Sequence, residues 1–300
     1  MKIGIDIGGS HIGLGIIDEN GKLVYKSEKD YLFYEKDMSE VVIETIVLLI
    51  KNALIESKID KKDIESVGIA VPGTVCGSNI VKAENLGIRN LDIGKELKNV
   101  FGFQIRLEND AKCAAIAEKE FGNLKKYDDS VFLTIGTGVG GAVFLNGKLL
   151  KPKRYSGFEI GHMVTEKNGI KCACGRKGCF ECYGSMKRFR EKIKREFNLP
   201  YTDGASIKEF ILKNINDKKI ESILNTYVDD LCTGIINLIN IFEPEVISVG
   251  GSFAYYEDIL LERLKNRIIE KEEIFNRDTV PKIITAKLKN DAGIIGAAMI

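Results

Sequence analysis

Apolar and polar positions along this chain follow two alternating periods. Short runs rich in Ile, Val and Gly, patterned as strands, occur at 2–7, 12–18, 66–71, 104–107, 131–135, 141–145, 246–249 and 282–286. Between them lie longer segments with helical spacing at 39–57, 110–121, 185–197, 222–242 and 291–300. In the first of these, Val42, Ile46, Leu49, Ile50 and Ala53 trace one apolar stripe. Ser39 and Asp110 stand where N-caps are expected, because a short polar side chain there can accept the unpaired N–H groups of the first turn. Strands alternating with helices predict an α/β fold. No Pro-rich or low-complexity tract predicts a flexible tether, and no apolar run approaches the ~18 residues of a membrane span. The amino terminus enters a strand-like run directly, so neither a signal peptide nor a membrane partner is expected.

Length and charge narrow the picture. At 300 residues the chain is expected to form two domains. Lys and Arg total 44 against 43 Asp and Glu, a net charge of +1, which gives no global bias toward nucleic acid or an anionic membrane. Seven cysteines is an odd count, and Cys172, Cys174, Cys179 and Cys182 fall in one short segment. That spacing suits a metal site in a reducing compartment better than a disulfide framework, and predicts a cytoplasmic protein. Cys76, Cys113 and Cys232 read as buried apolar residues.

An internal similarity runs through the chain. Ile5-Asp6-Ile7-Gly8-Gly9-Ser10, a strand and Asn20-Gly21-Lys22-Leu23 are echoed by Thr134-Ile135-Gly136-Thr137-Gly138, a strand and Asn146-Gly147-Lys148-Leu149. Glycine permits tight turns and close approach to a ligand, and successive free N–H groups in such turns form an anion-binding concavity. Two of these hairpins could hold a polyphosphate; each could equally be an ordinary β-hairpin, since Asn-Gly is a common hairpin turn.

Asp6-Ile7-Gly8-Gly9-Ser10, Thr137-Gly138-Val139-Gly140-Gly141 and Gly250-Gly251-Ser252 resemble the two phosphate loops and the adenosine loop of the actin-like ATPase superfamily. With Glu108-Asn109-Asp110-Ala111, Glu159-Ile160-Gly161-His162 and the segment Cys172 to Glu181, the chain resembles the ROK family (repressor, open reading frame, kinase) from Lys2 to Ala297. The resemblance implies an α/β fold of two actin-like, ribonuclease H-like domains with a cleft between them and a zinc-binding loop. The expected domains are 1–119, carrying the first phosphate loop and sugar-side loops, and 120–289, carrying the second phosphate loop, the zinc site and the adenosine loop. The last helix, 290–300, is expected to pack back on the first domain.

The family contains sugar kinases and sugar-responsive repressors. The repressors place a helix-turn-helix ahead of the first phosphate loop, and here that loop begins at Asp6, so a kinase without a nucleic-acid partner is expected. Phosphoryl transfer to a sugar hydroxyl needs a base, a metal on the phosphates and in-line positioning. By resemblance Asp110 is the base; from local pattern alone it is a helix cap. Asp6 is implied to orient Mg²⁺ of Mg-ATP through water, with Gly8, Gly9 and Ser10 on one phosphate, Thr137 and Gly138 on the opposite side, and Gly250 and Gly251 bordering adenosine. His11, in the first loop, reads as an exposed turn residue.

His162, Cys172, Cys174 and Cys179 supply one imidazole and three thiolates, a set suited to tetrahedral structural Zn²⁺, while Cys182 falls outside the family pattern. The resemblance implies that Asn109, Asp110, Glu159, His162, Glu181, Gly73 and Asn85 contact the sugar, zinc ordering the loops that carry several of them. Taken without the motifs, Glu181 is a surface charge and Glu159 half of an ion pair. Beyond Asn85-Leu86-Gly87 the usual aromatic is replaced by Ile88-Arg89-Asn90. The implied acceptor is the 6-hydroxyl of glucose or a related hexose; an N-acetylhexosamine such as N-acetylmannosamine, or a non-catalytic sugar sensor, are the alternatives. The resemblance also implies a homodimer or homotetramer.

Overall fold

In the first strand, β1 (Lys2–Ile7), Ile3, Ile5 and Ile7 enter a core with Val42, Ile46 and Ile50, while Gly4 and Asp6 point to the other face. The computed structural model describes residues 1–31, 37–152, 158–201, 203–270 and 273–300. They form two units, one of Met1–Lys125 with Lys151–Phe158 and Asn290–Ile300, the other of Lys126–Leu150 with Glu159–Lys289.

The first unit continues with β2 (His11–Ile17), β3 (Leu23–Asp30), α1 (Met38–Ser57), β4 (Ser66–Val71), β5 (Thr74–Cys76), β6 (Asn79–Ala83), β7 (Ile88–Leu91), α2 (Ile93–Phe101), β8 (Ile105–Asn109) and α3 (Asp110–Glu120). Its main sheet has the order β3-β2-β1-β4-β8, with β1 antiparallel to β2 and parallel to β4, and β4 parallel to β8. The three parallel strands therefore finish on one edge, at Ile7, Val71 and Asn109. A smaller sheet, β5-β6-β7, follows that edge in the chain.

The two faces of the main sheet are packed differently. On one, Ile, Val and Leu side chains meet the buried stripe of α1, and each contributes roughly 1.5–3 kcal/mol by leaving water. On the other, glycine and alanine let the terminal helix Ala292–Ala298 settle on the strands backbone to backbone. A Cβ on Gly4 would lie 1.9 Å from the Ile294 carbonyl oxygen, and one on Gly68 would lie 1.7 Å from that of Ala297. Any side chain there would lift the helix off.

Caps explain two departures from the sequence reading. Asp37, not Ser39, caps α1, its carboxylate accepting the Ser39 N–H at 2.8 Å. Asn109, not Asp110, caps α3: Asn109 keeps an extended backbone (φ −63°, ψ 143°) and Asp110 is already in the helix.

The second unit contains β9 (Ser130–Ile135), β10 (Val139–Leu145), β11 (Lys148–Leu149), α4 (Glu181–Gly184), α5 (Met186–Phe197), α6 (Gly204–Lys213), α7 (Lys218–Phe242), β12 (Val246–Gly250), α8 (Glu257–Glu270) and β13 (Lys282–Thr285). Its sheet order, β11-β10-β9-β12-β13, and its strand directions repeat those of the first unit. The echo between the two hairpin motifs is thus carried by one topology built twice. Helix α7 starts four residues before position 222 because Asp217 accepts the N–H groups of Lys219 and Ile220 at 2.7 and 3.2 Å. Among the described residues no helix is long and apolar enough to cross a membrane.

Candidate functional site

Asp6, one residue before the end of β1, lies on the glycine face, where a Cβ on Gly293 would sit 2.2 Å from its Oδ2. No side chain among the described residues donates to this carboxylate, and burial alone raises its pKa from 3.8 to about 6. A buried carboxylate without a donor is a site that a cation improves. The adjoining turn is held from behind. Gly8 N–H donates to the His11 carbonyl at 2.8 Å, the Tyr31 hydroxyl donates to the Gly8 carbonyl, and Tyr31 N–H donates to the Ser10 carbonyl at 3.0 Å. Gly9 and Ser10 are exposed at the tip of this turn, where a glycine-rich backbone can approach an anion closely. His11 is exposed, its Nδ1 3.5 Å from Ser10 Oγ.

At the same sheet edge the chain passes from β8 into α3. The Asn109 side chain accepts the N–H groups of Ala111 and Lys112 at 3.1 and 3.3 Å and donates to the Gly73 carbonyl at 3.2 Å. Asn109, Gly73 and Asp110 are thereby brought together. Asp110, half-buried, accepts the Ala111 N–H at 2.8 Å. Gly73 allows close packing, since a Cβ there would fall 2.2 Å from the Lys82 carbonyl oxygen. Asn85 stands exposed in the single turn Glu84–Leu86 between β6 and β7. Sequence reasoning assigned no role to Lys151, which pairs with the buried Glu108.

In the second unit, Gly136 N–H donates to the Gly138 carbonyl at 2.9 Å, closing the turn that bears Thr137. Glu181, from α4, accepts the Val139 N–H at 3.0 Å and fills the space beside Gly138, where a Cβ would lie 2.3 Å from its Oε2. The structure therefore sets Glu181 against the glycine hairpin. Gly250 pairs with Thr134, and Gly251 adopts φ +70°, which brings Ser252 Oγ to 3.5 Å from a Cβ position on Gly136. Thr137, Gly138, Gly250 and Gly251 so share one end of this sheet. Glu159 is exposed, and its carbonyl accepts the His162 N–H at 2.9 Å.

The donor atoms of His162, Cys172, Cys174 and Cys179 all lie within 4.8 Å of one another. His162 Nδ1 is 3.7 Å from Cys172 Sγ, and Cys174 Sγ is 3.6 Å from Cys179 Sγ. Tetrahedral zinc with ordinary bond lengths sets such separations at ~3.6 Å for N···S and ~3.8 Å for S···S, so the donor set fits the ion in chemistry and spacing. The backbone curls as a thiolate knuckle requires: Gly175 N–H donates to the Cys172 carbonyl at 3.0 Å, and Gly175 and Gly178 adopt φ +91° and +76°. The Arg176 backbone N–H helps pull the Cys174 thiol down to about 6, and burial pushes Cys182 up to about 11. Cys182 packs beside Cys172 and Cys179 but outside the four donors. Cys113 and Cys232 are buried as expected; Cys76 is exposed, because its position in the short strand β5 faces outward.

Comparison with known proteins agrees with this geometry. The model of the ROK family matches residues 2–300. A glucokinase from Thermotoga maritima is 30% identical, covering 99% of this chain and 96% of the relative. The xylose repressor of Bacillus subtilis is 27% identical over 89% of this chain and 68% of its own length. Among solved structures, the ROK hexokinase from Thermus thermophilus superposes with a TM-score of 0.79 at 27% identity, covering 99% of this chain and 96% of that one. With the family model matching nearly every residue and a relative 30% identical over almost the whole of both chains, this chain belongs to the ROK family.

Proposed function

We propose that this protein is an ATP-dependent sugar kinase that transfers the γ-phosphoryl group of ATP to the 6-hydroxyl of glucose or a related hexose, with Asp110 as general base. The observation that carries the reading is the sheet edge of the first unit, which sets Asp110 and Asn109 on the same end as the buried, donorless Asp6 and the exposed turn at Gly9 and Ser10. A glucokinase relative matching over nearly the whole of both chains supports it.

In this reading Asp110 accepts the proton of the sugar hydroxyl as its oxygen bonds to the γ-phosphorus, and the bond from that phosphorus to the β,γ-bridging oxygen breaks to release ADP. Asp6, ionised, orients the water shell of Mg²⁺, which when bound neutralises phosphate charge. The turns at Gly8 to Ser10 and at Thr137 and Gly138 receive phosphate oxygens, and Gly250 and Gly251 border the adenosine. Asn109, Gly73, Asn85, Glu159, His162 and Glu181 meet sugar hydroxyls. His162 turns Nδ1 toward the thiolates, so Nε2 is the nitrogen for a hydroxyl. Structural zinc would fix that ring and the segment carrying Glu181. A cytoplasmic location goes with this reading, the clustered cysteines serving as metal donors.

A coupled assay of ADP release with a panel of hexoses and N-acetylhexosamines tests the reading. Sugar-dependent release identifies the acceptor, an N-acetylhexosamine such as N-acetylmannosamine included. The repressor relative gives a second reading, a sugar sensor, which predicts sugar binding with no release. Asp110→Asn should retain sugar binding and lose turnover by roughly 10²–10⁴-fold; wild-type turnover in that variant removes Asp110 from the base role.

A further inference from the structure

Glu108 is buried, its side chain 2% exposed, in the strand that ends at Asn109. One of its oxygens accepts the Asn109 N–H at 2.9 Å and the other pairs with Lys151 Nζ. Lys151 follows β11 in the chain yet belongs to the first unit, and its side chain is 55% exposed. The pair lies among other charges. Cys113, wholly buried on α3, has its thiol pushed well above the ordinary range by burial and then by the charges of Glu108, Asp6 and Asp110, with Lys151 opposing them. Lys112 and Glu118, also buried on α3, add one charge of each sign. Glu108 is thus a third carboxylate in the neighbourhood of Asp6 and Asp110, and Lys151 is the cation set upon it.

A buried carboxylate deprived of its cation does not stay where it is. It takes up a proton or turns toward another positive charge, because an unpaired ion in a low dielectric is strongly unfavourable. Turning away breaks its hydrogen bond to the Asn109 N–H and protonation weakens it, a neutral acid being a poorer acceptor than a carboxylate, and that peptide carries the cap of α3 and leads directly to Asp110.

We propose that Lys151 is a positioning residue for phosphoryl transfer, acting through Glu108 to hold the Asn109–Asp110 junction and to keep the Glu108 charge from adding to those of Asp6 and Asp110. The proposal rests on the kinase reading. On this proposal its effect is transmitted by one ion pair and one backbone hydrogen bond.

A double-mutant cycle tests it, with kcat from the coupled assay, sugar affinity from calorimetry and folding from thermal melts. Lys151→Met lowers kcat by about 10–100-fold, the range that a displacement of up to ~1 Å at a reacting group produces, while sugar affinity changes less than twofold. Lys151→Arg recovers most of the loss, since it restores the cation. In the background of Glu108→Gln, whose amide oxygen still accepts the Asn109 N–H, adding Lys151→Met changes kcat less than twofold. A Lys151→Met enzyme within twofold of wild type overturns the proposal. An equal loss in both backgrounds also overturns it, because Lys151 would then act on the nucleotide directly. Wild-type protein without turnover on any sugar is a distinct failure, that of the kinase reading, and it removes the proposal too.

Discussion

Replacing Gly293 by alanine tests how Asp6 is held. The new Cβ would stand 2.2 Å from Asp6 Oδ2, 2.7 Å from Cγ and 3.3 Å from Oδ1, whereas ordinary contact begins near 3.4 Å, so the carboxylate must retreat by about 1.2 Å. The backbone does not oppose the change: Gly293 lies within a helix at negative φ, and alanine gains up to ~1 kcal/mol of helix propensity there. Overpacking costs about 1–3 kcal/mol, so the net change should be a destabilisation of roughly 0–3 kcal/mol. Catalysis is far more sensitive, because a 1 Å misplacement can cost ~10²-fold. Gly293→Ala should therefore show kcat/KM for Mg-ATP reduced about 10–100-fold, a melting temperature within a few degrees of wild type, and sugar binding unchanged by calorimetry. Steady-state kinetics at varied Mg-ATP with saturating sugar is the assay. Wild-type kcat/KM for Mg-ATP in a folded Gly293→Ala protein would refute the placement of Asp6 at the nucleotide.

Asp6 also makes a prediction about pH. Its pKa is raised from 3.8 to about 6, so its neutral form fits the fold, and that contribution is complete below about pH 4 and lost as pH rises through 6. Asp6→Asn should thus be more stable than wild type by up to ~3 kcal/mol at pH 8, a gap that closes toward pH 4 while Mg-ATP turnover is lost; a gap independent of pH contradicts the burial argument. For the zinc cluster, Cys172→Ser or Cys174→Ser should remove bound zinc and weaken sugar binding roughly 10–100-fold, whereas Cys182→Ser should keep the metal; elemental analysis showing zinc loss on Cys182→Ser makes it a ligand.

Strands such as β1, β4, β9 and β12 were legible because buried parallel strands are short and almost continuously apolar. The long helix α7 was legible by its periodic stripe, though not its start, which a single aspartate side chain sets. Less legible were β3, exposed along much of its length, the small β5-β6-β7 sheet, and α2, α6 and α8, whose apolar residues are spaced among charges. In α8, Ile259, Leu260, Leu264 and Ile268 are buried amid seven charged residues, a segment that reads as solvent-facing until α7 is placed beneath it. The division of labour at the α3 terminus, with Asn109 as cap and Asp110 in the helix, depends on backbone angles that neighbouring motif letters do not specify.

The sequence by itself determined the α/β class, the repeated glycine hairpin, the His/Cys₃ set and the family, because each is carried by residues close together in the chain or by a fixed local spacing. Only the tertiary structure decided how those residues are tuned. Asp6 has a raised pKa because the terminal helix, at the far end of the chain, packs onto it without a side chain at Gly293. Glu108 is paired with Lys151, a partner 43 residues away. Glu181 braces the hairpin at Gly138 from across its unit. Desolvation and ion pairing depend on what surrounds a group in space, and no local pattern records which distant segment will come to lie against it.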